Sequence, residues 1–316
     1  MRSRSTGLSA ADVDAALTTR RTLVVSWLNR GTLHLVRSQD YWWLHALTTP
    51  QLRTSNQRRL RQEGVSAEQT TTGVDVVVAA LSAEGPLTRE ALRARLDAAG
   101  VPTAGQALVH LLLAATLAAQ VVRGPVVDGQ QAFVLAEQWL GPPASPLDAD
   151  QALALLADRY LAGHRPADDR DLAQWAGISL GRARQALASG AAEEHSASGG
   201  SAVGSPAVGS PAVGGPAVEG SVRLLGPFDP LLHGWASRDP VVGPYRQLVT
   251  RNGIFRASVL VDGRAVGTWG LTQDVLTVRL YEAVPDAVRS ALHEEAADVR
   301  RFLGLPASAA VVVLDP

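Results

Sequence analysis

Up to about residue 190, apolar positions return every three or four residues; after a break they alternate instead. The helical spacing predicts a helix over Leu8–Thr19 (L-S-A-A-D-V-D-A-A-L-T-T), with Ser9 as N-cap and Asp12 answering it three residues on. Thr22–Leu28 reads as a second helix ending at Asn29–Gly31, and Thr32–Val36 as a short strand. Ser38 caps a helix from Gln39 to about Leu47. Thr48-Thr49-Pro50 stops it, because a residue before proline is pushed out of the helical region. Gln51–Glu63 is another helix. Three more follow at Ser66–Leu81, Thr88–Ala99 and Thr103–Ala115, parted by Gly85-Pro86 and Gly100-Val101-Pro102. Two β-rich runs, Ala119–Arg123 and Ala132–Leu135, are joined by a loop over Gly124–Gln130 that contains Asp128-Gly129. Three helices and then a two-stranded hairpin is the order of a winged-helix unit.

Asp148–Gly163 opens a further unit, again capped by an aspartate. Arg170–Ala176 and Leu180–Ala188 flank Gly177, and D-L-A-Q-W-A-G-I-S-L-G-R-A-R-Q-A-L has helix-turn-helix spacing. Leu172, Ala173, Ala176, Ile178, Ala183 and Leu187 supply its inward face, and Gly177 its turn. Residues 190–220 break the pattern with a five-residue repeat of small residues, proline and glycine. Such a stretch cannot bury enough surface to offset chain entropy, so a flexible linker is expected. Alternation then takes over in V-R-L-L, Ile254–Val261, Arg264–Leu271 and Val275–Tyr281, with Asp262-Gly263 as a hairpin turn. A helix over Pro285–Leu303 and a strand over Ala310–Leu314 close the chain. The expected fold class is α+β: tandem winged-helix units followed by a small antiparallel, barrel-like C-terminal β domain.

At 316 residues the chain has room for two or three compact units, and 46% hydrophobic residues can fill ordinary cores. Cysteine is absent, which excludes disulfides, a thiol nucleophile and a cysteine-ligated zinc site. All 29 basic residues are arginine. Without lysine, neither a lysine Schiff base nor a lysine-tipped phosphate loop can form. A net charge of -1 gives no global attraction for nucleic acid, so any such surface has to be built from local arginine patches. The seven histidines lie scattered without ligand spacing, and no phosphate-cradling glycine motif follows a strand. Neither a metal nor a nucleotide cofactor is expected. No run reaches about 18 apolar residues, and the N-terminus lacks the apolar core of a secretory signal. A cytoplasmic protein with no membrane partner is the expectation.

Candidate chemistry concentrates in Trp27–Val36 (W-L-N-R-G-T-L-H-L-V). Arg30, Thr32 and His34 put a cation, a hydroxyl and an imidazole close together, although the spacing alone also suits a plain helix–strand junction with a polar edge. Gln51–Glu63 carries Arg53, Arg58, Arg59 and Arg61, as either a solvated face or a phosphate-facing patch. Arg182 and Arg184 stand on the helix after Gly177, where helix-turn-helix proteins meet DNA, though many such helices serve only as scaffold. Thr103–Ala115 occupies the place of a recognition helix, but it is apolar apart from His110 and reads as core.

Four features together resemble one family. They are W-L-N-R-G-T-L-H-L-V, the tandem winged-helix order, L-L-G-P-F-D-P-L-L with Arg238 downstream, and G-I-F-R-A-S-V-L-V-D-G-R-A-V-G-T-W. They look like the winged-helix DNA-binding proteins of the crosslink-repair DNA glycosylase type (the AlkZ/YcaQ group), from about Leu8 to the end apart from the repeat. The resemblance implies three winged-helix units and a β-barrel around a DNA channel. Residues 8–64 would form a partial first unit, 65–141 the second, 146–189 the third and 221–316 the β domain. It implies hydrolysis of the N-glycosidic bond of alkylated or crosslinked bases, with double-stranded DNA as partner, no cofactor and a monomeric state. On this resemblance Arg30, Thr32, His34, Arg182, Arg184, Asp229 and Arg238 are the expected DNA-binding residues.

Catalysis in that family rests on a Gln-x-Gln or Gln-x-Asp near the N-terminus, which positions or activates a water against an oxocarbenium-like sugar. A cationic lesion is already a good leaving group and needs little acid help. No such motif precedes Trp27, and Gln39-Asp40 is adjacent rather than alternating. No catalytic residue is therefore assigned. An N-terminally truncated glycosylase is expected, with a non-catalytic DNA-binding regulator or resistance factor as the alternative.

Overall fold

The computed structural model describes residues 2–127, 129–143, 147–197, 220–306 and 310–316, without the side chains of 190–197. Most of the expected linker, and Asp128 of the expected turn, lie outside the described residues. The protein is α+β and forms two compact units. One comprises Val13–Ala157 and Ala176–Ala191; the other comprises Met1–Asp12, Asp158–Trp175 and Ala192–Pro316.

Helix α1 (Ala10–Thr18) starts as its sequence directs: the Asp12 amide donates to Ser9 Oγ at 3.2 Å, and the Ser9 amide to Asp12 Oδ2 at 2.9 Å. Strands β1 (Leu23–Leu28) and β2 (Thr32–Arg37) then form an antiparallel hairpin with Leu28 opposite Thr32. This corrects the expected helix over Thr22–Leu28. The run L-V-V-S-W-L is apolar on both faces, and periodicity cannot tell a short run of that kind from a helix. Packing decides, because β1 lies between two cores. Val24 joins Tyr41, Val122 and Val134 on one face, while Trp27 joins Leu60, Leu108 and Leu111 on the other. Asn29 (φ 51) and Gly31 (φ 78) turn the chain between the strands.

Helices α2 (Tyr41–Thr48), α3 (Leu52–Gln62), α4 (Ala67–Glu84), α5 (Arg89–Ala98) and α6 (Ala107–Leu117) follow. Ser66 and Gln69 make a full capping box on α4, and Thr88 caps α5. The apolar α6 is buried along most of its length, as its composition requires. Strands β3 (Val121–Val127) and β4 (Gln130–Leu135) pair with each other, and β3 pairs with β1 at Val25–Arg123. The result is one sheet in the order β2-β1-β3-β4. Next come α7 (Ala136–Leu140), α8 (Ala149–His164), α9 (Asp169–Ala176) and α10 (Leu180–Ala197). Asp148 accepts the amide of Gln151 at 2.8 Å, Asp168 accepts that of Asp171 at 3.0 Å, and α10 runs past the expected end at Ala188.

The second sheet holds β5 (Val222–Leu225), β6 (Ser258–Val261), β7 (Arg264–Thr272), β8 (Val275–Leu280) and β9 (Val311–Leu314), in that spatial order. The short helix α11 (Asp239–Val242) precedes β6, and α12 (Asp286–Leu303) connects β8 to β9. The first three strand pairs are antiparallel, but β9 runs parallel to β8 with Leu276 opposite Val311. That departs from the wholly antiparallel expectation. A helix as long as α12 is the kind of crossover that parallel neighbours need. Its Val288, Leu292, Ala296 and Val299, at helical spacing, cover Val222, Val259 and Val278. Among the described residues, no pairing closes β5 onto β9, and no helix is long and apolar enough to cross a membrane.

Candidate nucleic-acid interface

Arg30 stands half-buried in the turn of the β1–β2 hairpin. Thr32 and His34 follow on β2, two residues apart and so on one face, where Thr32 Oγ1 and His34 Nε2 share a hydrogen bond of 2.9 Å. The base of the turn is pinned by α2. The Asn29 amide donates to Thr48 Oγ1 at 3.1 Å, and the Thr48 hydroxyl donates to the Leu44 carbonyl at 2.8 Å. Its apex meets the turn between α9 and α10. Gly177 has φ +68, and a β-carbon there would stand 3.0 Å from Arg30 Cγ and 3.4 Å from Asn29 C. Glycine suits both that conformation and that gap, and a side chain there would strain the backbone and crowd Arg30. Gln51 clamps the junction, donating through Nε2 to the carbonyls of Thr48 (2.8 Å) and Gly177 (3.3 Å).

From Gly177 the chain leads directly into α10. Ser179 Oγ accepts the Arg182 amide at 3.3 Å, Ala183 and Ala186 face inward, Arg182 is half-buried and Arg184 exposed. The structure therefore brings the turn that carries Arg30 against the turn that precedes Arg182 and Arg184. Sequence reasoning missed two residues here. Gln51 had only its place after a helix-stopping proline to signal it. Arg123 had none, because its guanidinium reaches its place over Trp27 (4.7 Å) and Phe133 (5.2 Å) through strand pairing. Burial first, and then the charge of Arg89, pull the Arg123 pKa below the usual arginine value.

Several other candidates in this unit have structural partners. Arg53 donates to the Leu117 carbonyl at 3.1 Å, and Arg59 pairs with Glu63 at 2.9 Å; Arg58 and Arg61 face solvent. His110 Nδ1 lies 2.7 Å from Asn56 Oδ1, so it ties α6 to α3. Asp40 of the Gln39-Asp40 pair is buried and accepts from Arg37 Nε (2.8 Å) and Trp43 Nε1 (3.3 Å).

Asp229 and Arg238 belong to the other unit. Asp229 is only 7% exposed, and it accepts the Leu231 amide at 2.9 Å. Arg4 grips its carboxylate with two hydrogen bonds of 2.8 Å and 2.5 Å. Burial alone would raise the Asp229 pKa; the Arg4 and Leu231 hydrogen bonds outweigh it and hold the carboxyl below the usual range. Arg238 is exposed and lies 5.1 Å over the Phe255 ring. It lines an open cavity of about 440 Å³ together with Ser237, Asp239, Val242 and Arg246. The intervening loop is anchored. Tyr160 donates to the Gly234 carbonyl at 2.6 Å, Trp235 Nε1 to that of Pro166 at 2.9 Å, and the Ala236 amide to Asp171 Oδ1 at 2.9 Å. Asp229 thus acts inside the loop, whereas Arg238 points a cation outward.

The family model described as DNA glycosylase AlkZ-like matches residues 1–302. Among solved structures, the Streptomyces sahachiroi DNA glycosylase AlkZ superposes with a TM-score of 0.68 over 97% of this chain and 84% of that one. The two share 23% sequence identity, so this likeness speaks for the fold. No curated protein sequence matches the chain. With its family model matched over nearly the whole length, the chain belongs to the AlkZ-like DNA glycosylase family.

Proposed function

We propose that this protein is a winged-helix DNA-repair glycosylase that engages double-stranded DNA, as a cytoplasmic monomer without a cofactor, and releases alkylated or crosslinked bases by hydrolysing the N-glycosidic bond. Family membership over residues 1–302 is the observation that carries the reaction class. The Gly177–Arg30 junction supports the DNA-facing reading, since it puts a hairpin arginine beside the entry to an arginine-bearing helix. In this reading the order α4–α5–α6–β3–β4 is the winged helix of residues 65–141, and α8–α10 is that of 146–189. In the same reading residues 8–64 belong to the first winged-helix unit, and residues 221–316 make the C-terminal β domain.

Arg30, Arg182, Arg184 and Arg238 meet phosphates, which guanidinium groups recognise in a bidentate way. Thr32 and His34 supply polar contacts from the strand edge. Asp229 serves binding indirectly, by fixing the loop that ends at Arg238. Excision needs the target nucleotide out of the stack, water delivered to the sugar carbon, and the base leaving with the bonding electrons.

The test is incubation of the purified chain with duplex DNA carrying one N7-methylguanine. Salt-sensitive binding and release of the free base are expected. Binding without release would leave the non-catalytic DNA-binding alternative, and absence of duplex binding would refute both.

A further inference from the structure

Phe228 is 54% exposed and has φ +56, a left-handed conformation that aromatic residues rarely adopt. Its mount is stiff. The next residue is the buried Asp229, held by Arg4 and by the Leu231 amide. The Phe228 amide donates to the Phe255 carbonyl at 3.3 Å, and its ring stacks at 6.3 Å on His233, which itself lies 3.9 Å from Phe255. Beside this turn is another. The Thr250 amide donates to the Ile254 carbonyl at 2.9 Å, and the Ile254 amide returns to Thr250 Oγ1 at 3.0 Å. That second turn holds Ile254 50% exposed. Side chains that only close a core are buried, as Phe255 is; these two are held outward on turns whose amides are hydrogen-bonded.

The surroundings are cationic. Arg238 lies over Phe255, and Arg246, Arg251 and Arg256 are all exposed in the same segment. Among the described residues, none of these four arginines forms an ion pair. An apolar tip with exposed guanidinium groups on the neighbouring segment matches a polyanion whose interior is a stack of aromatic rings. Proteins that kink or open duplex DNA use Phe, Ile or Leu in this manner, wedged between base steps while cations hold the flanking phosphates.

We propose that Phe228, with Ile254 on the adjoining turn, is a wedge that enters the base stack of duplex DNA and holds it open. This rests on the DNA-binding reading above and adds to it the residues that separate the bases. Phe228 is a positioning residue in this role, since it replaces a base as stacking partner and performs no bond chemistry.

The probe is a duplex with 2-aminopurine beside an abasic-site analogue, because 2-aminopurine brightens when it unstacks. Wild-type protein is expected to bind and to raise the fluorescence severalfold. Phe228→Ala should bind about tenfold more weakly and leave the probe dark, Phe228→Trp should restore both, and Ile254→Ala should fall between. Circular dichroism checks that the variants fold, which an exposed position permits. Wild-type binding with an equally bright Phe228→Ala complex overturns the wedge and leaves the DNA-binding reading intact. No duplex binding by the wild type overturns both.

Discussion

A β-carbon on Gly177 would stand 3.0 Å from Cγ of Arg30, so two turns 147 residues apart in the chain are pressed together at this glycine. At φ +68 a non-glycine residue also strains the backbone. Gly177→Ala should therefore destabilise the protein by about 1–2 kcal/mol from conformation alone, with a further cost from displacing Arg30. Urea unfolding measures the first effect, and duplex affinity at fixed salt the second. A variant as stable as the wild type would mean that the two turns are not in tight contact.

Arginine–phosphate pairing releases counterions, and this makes the DNA reading quantitative. Replacing Arg182 and Arg184 with alanine should flatten the plot of log affinity against log salt by about one unit for each phosphate that the variant no longer neutralises. Fluorescence anisotropy on a short duplex across a salt series reads this slope. An unchanged slope in the double variant would assign both arginines to scaffold. Arg184 is exposed whereas Arg182 is half-buried, so Arg184→Ala should leave stability the less affected of the two.

The ion pair between Arg4 and Asp229 gives a prediction with a pH signature. Removing Arg4 strands a buried carboxylate, and Arg4→Ala should cost about 1–3 kcal/mol, less than a fully buried pair because the arginine is half exposed. The folded-state pKa of Asp229 is depressed, so the stability it contributes is present above the unfolded value of about 3.9 and is lost as pH falls through the folded one. The gap between wild type and Arg4→Ala in urea midpoint should be full at pH 7 and narrow once pH falls below the unfolded value of about 3.9. In a double-mutant cycle, adding Asp229→Ala to Arg4→Ala should recover part of the loss. Strict additivity would show that the pair carries no coupling.

How much of this was legible beforehand follows from how local each signal is. The Ser9–Asp12 cap, the Asp262-Gly263 hairpin and the Gly177 turn all act within four residues, and each was read; the Ser66–Gln69 capping box and the Thr88 cap are equally local but were not singled out. Strand β1 was misread because its answer is non-local. Its apolar run resembles a helix until Val25 finds Arg123 across the sheet. Strand β9 was placed correctly as a strand, but its direction depends on a crossover that propensity does not encode. In the candidate site, sequence supplied Arg30, His34, Arg182 and Arg184. It could not show that Gly177 and Gln51 join their turns, or that Asp229 turns inward to Arg4.

Histidines set the last prediction. His45 is buried between α2 and α6, with Nε2 2.9 Å from the Thr116 carbonyl, and His164 stacks on Tyr160 at 4.5 Å. For His45, burial dominates, the carbonyl opposes it and Arg53 adds to it, and the net pKa is lowered. His164 is lowered in the same way, with burial first, its hydrogen bond to the Tyr160 carbonyl opposing, and Arg4 adding. A histidine held neutral in the fold stabilises above its unfolded value of about 6.5, and that stability is lost as pH falls through the lower, folded value. The protein should therefore weaken between pH 7 and pH 5, by at most about 1.4 kcal/mol per pH unit for each histidine that takes up its proton only on unfolding. His45→Gln keeps a donor for the Thr116 carbonyl and removes the titration. It should start lower at pH 7 because the ring packing is lost, but fall less steeply on acidification. Urea midpoints at half-unit pH steps would check this, and parallel curves for the two proteins would remove His45 as the source of acid sensitivity.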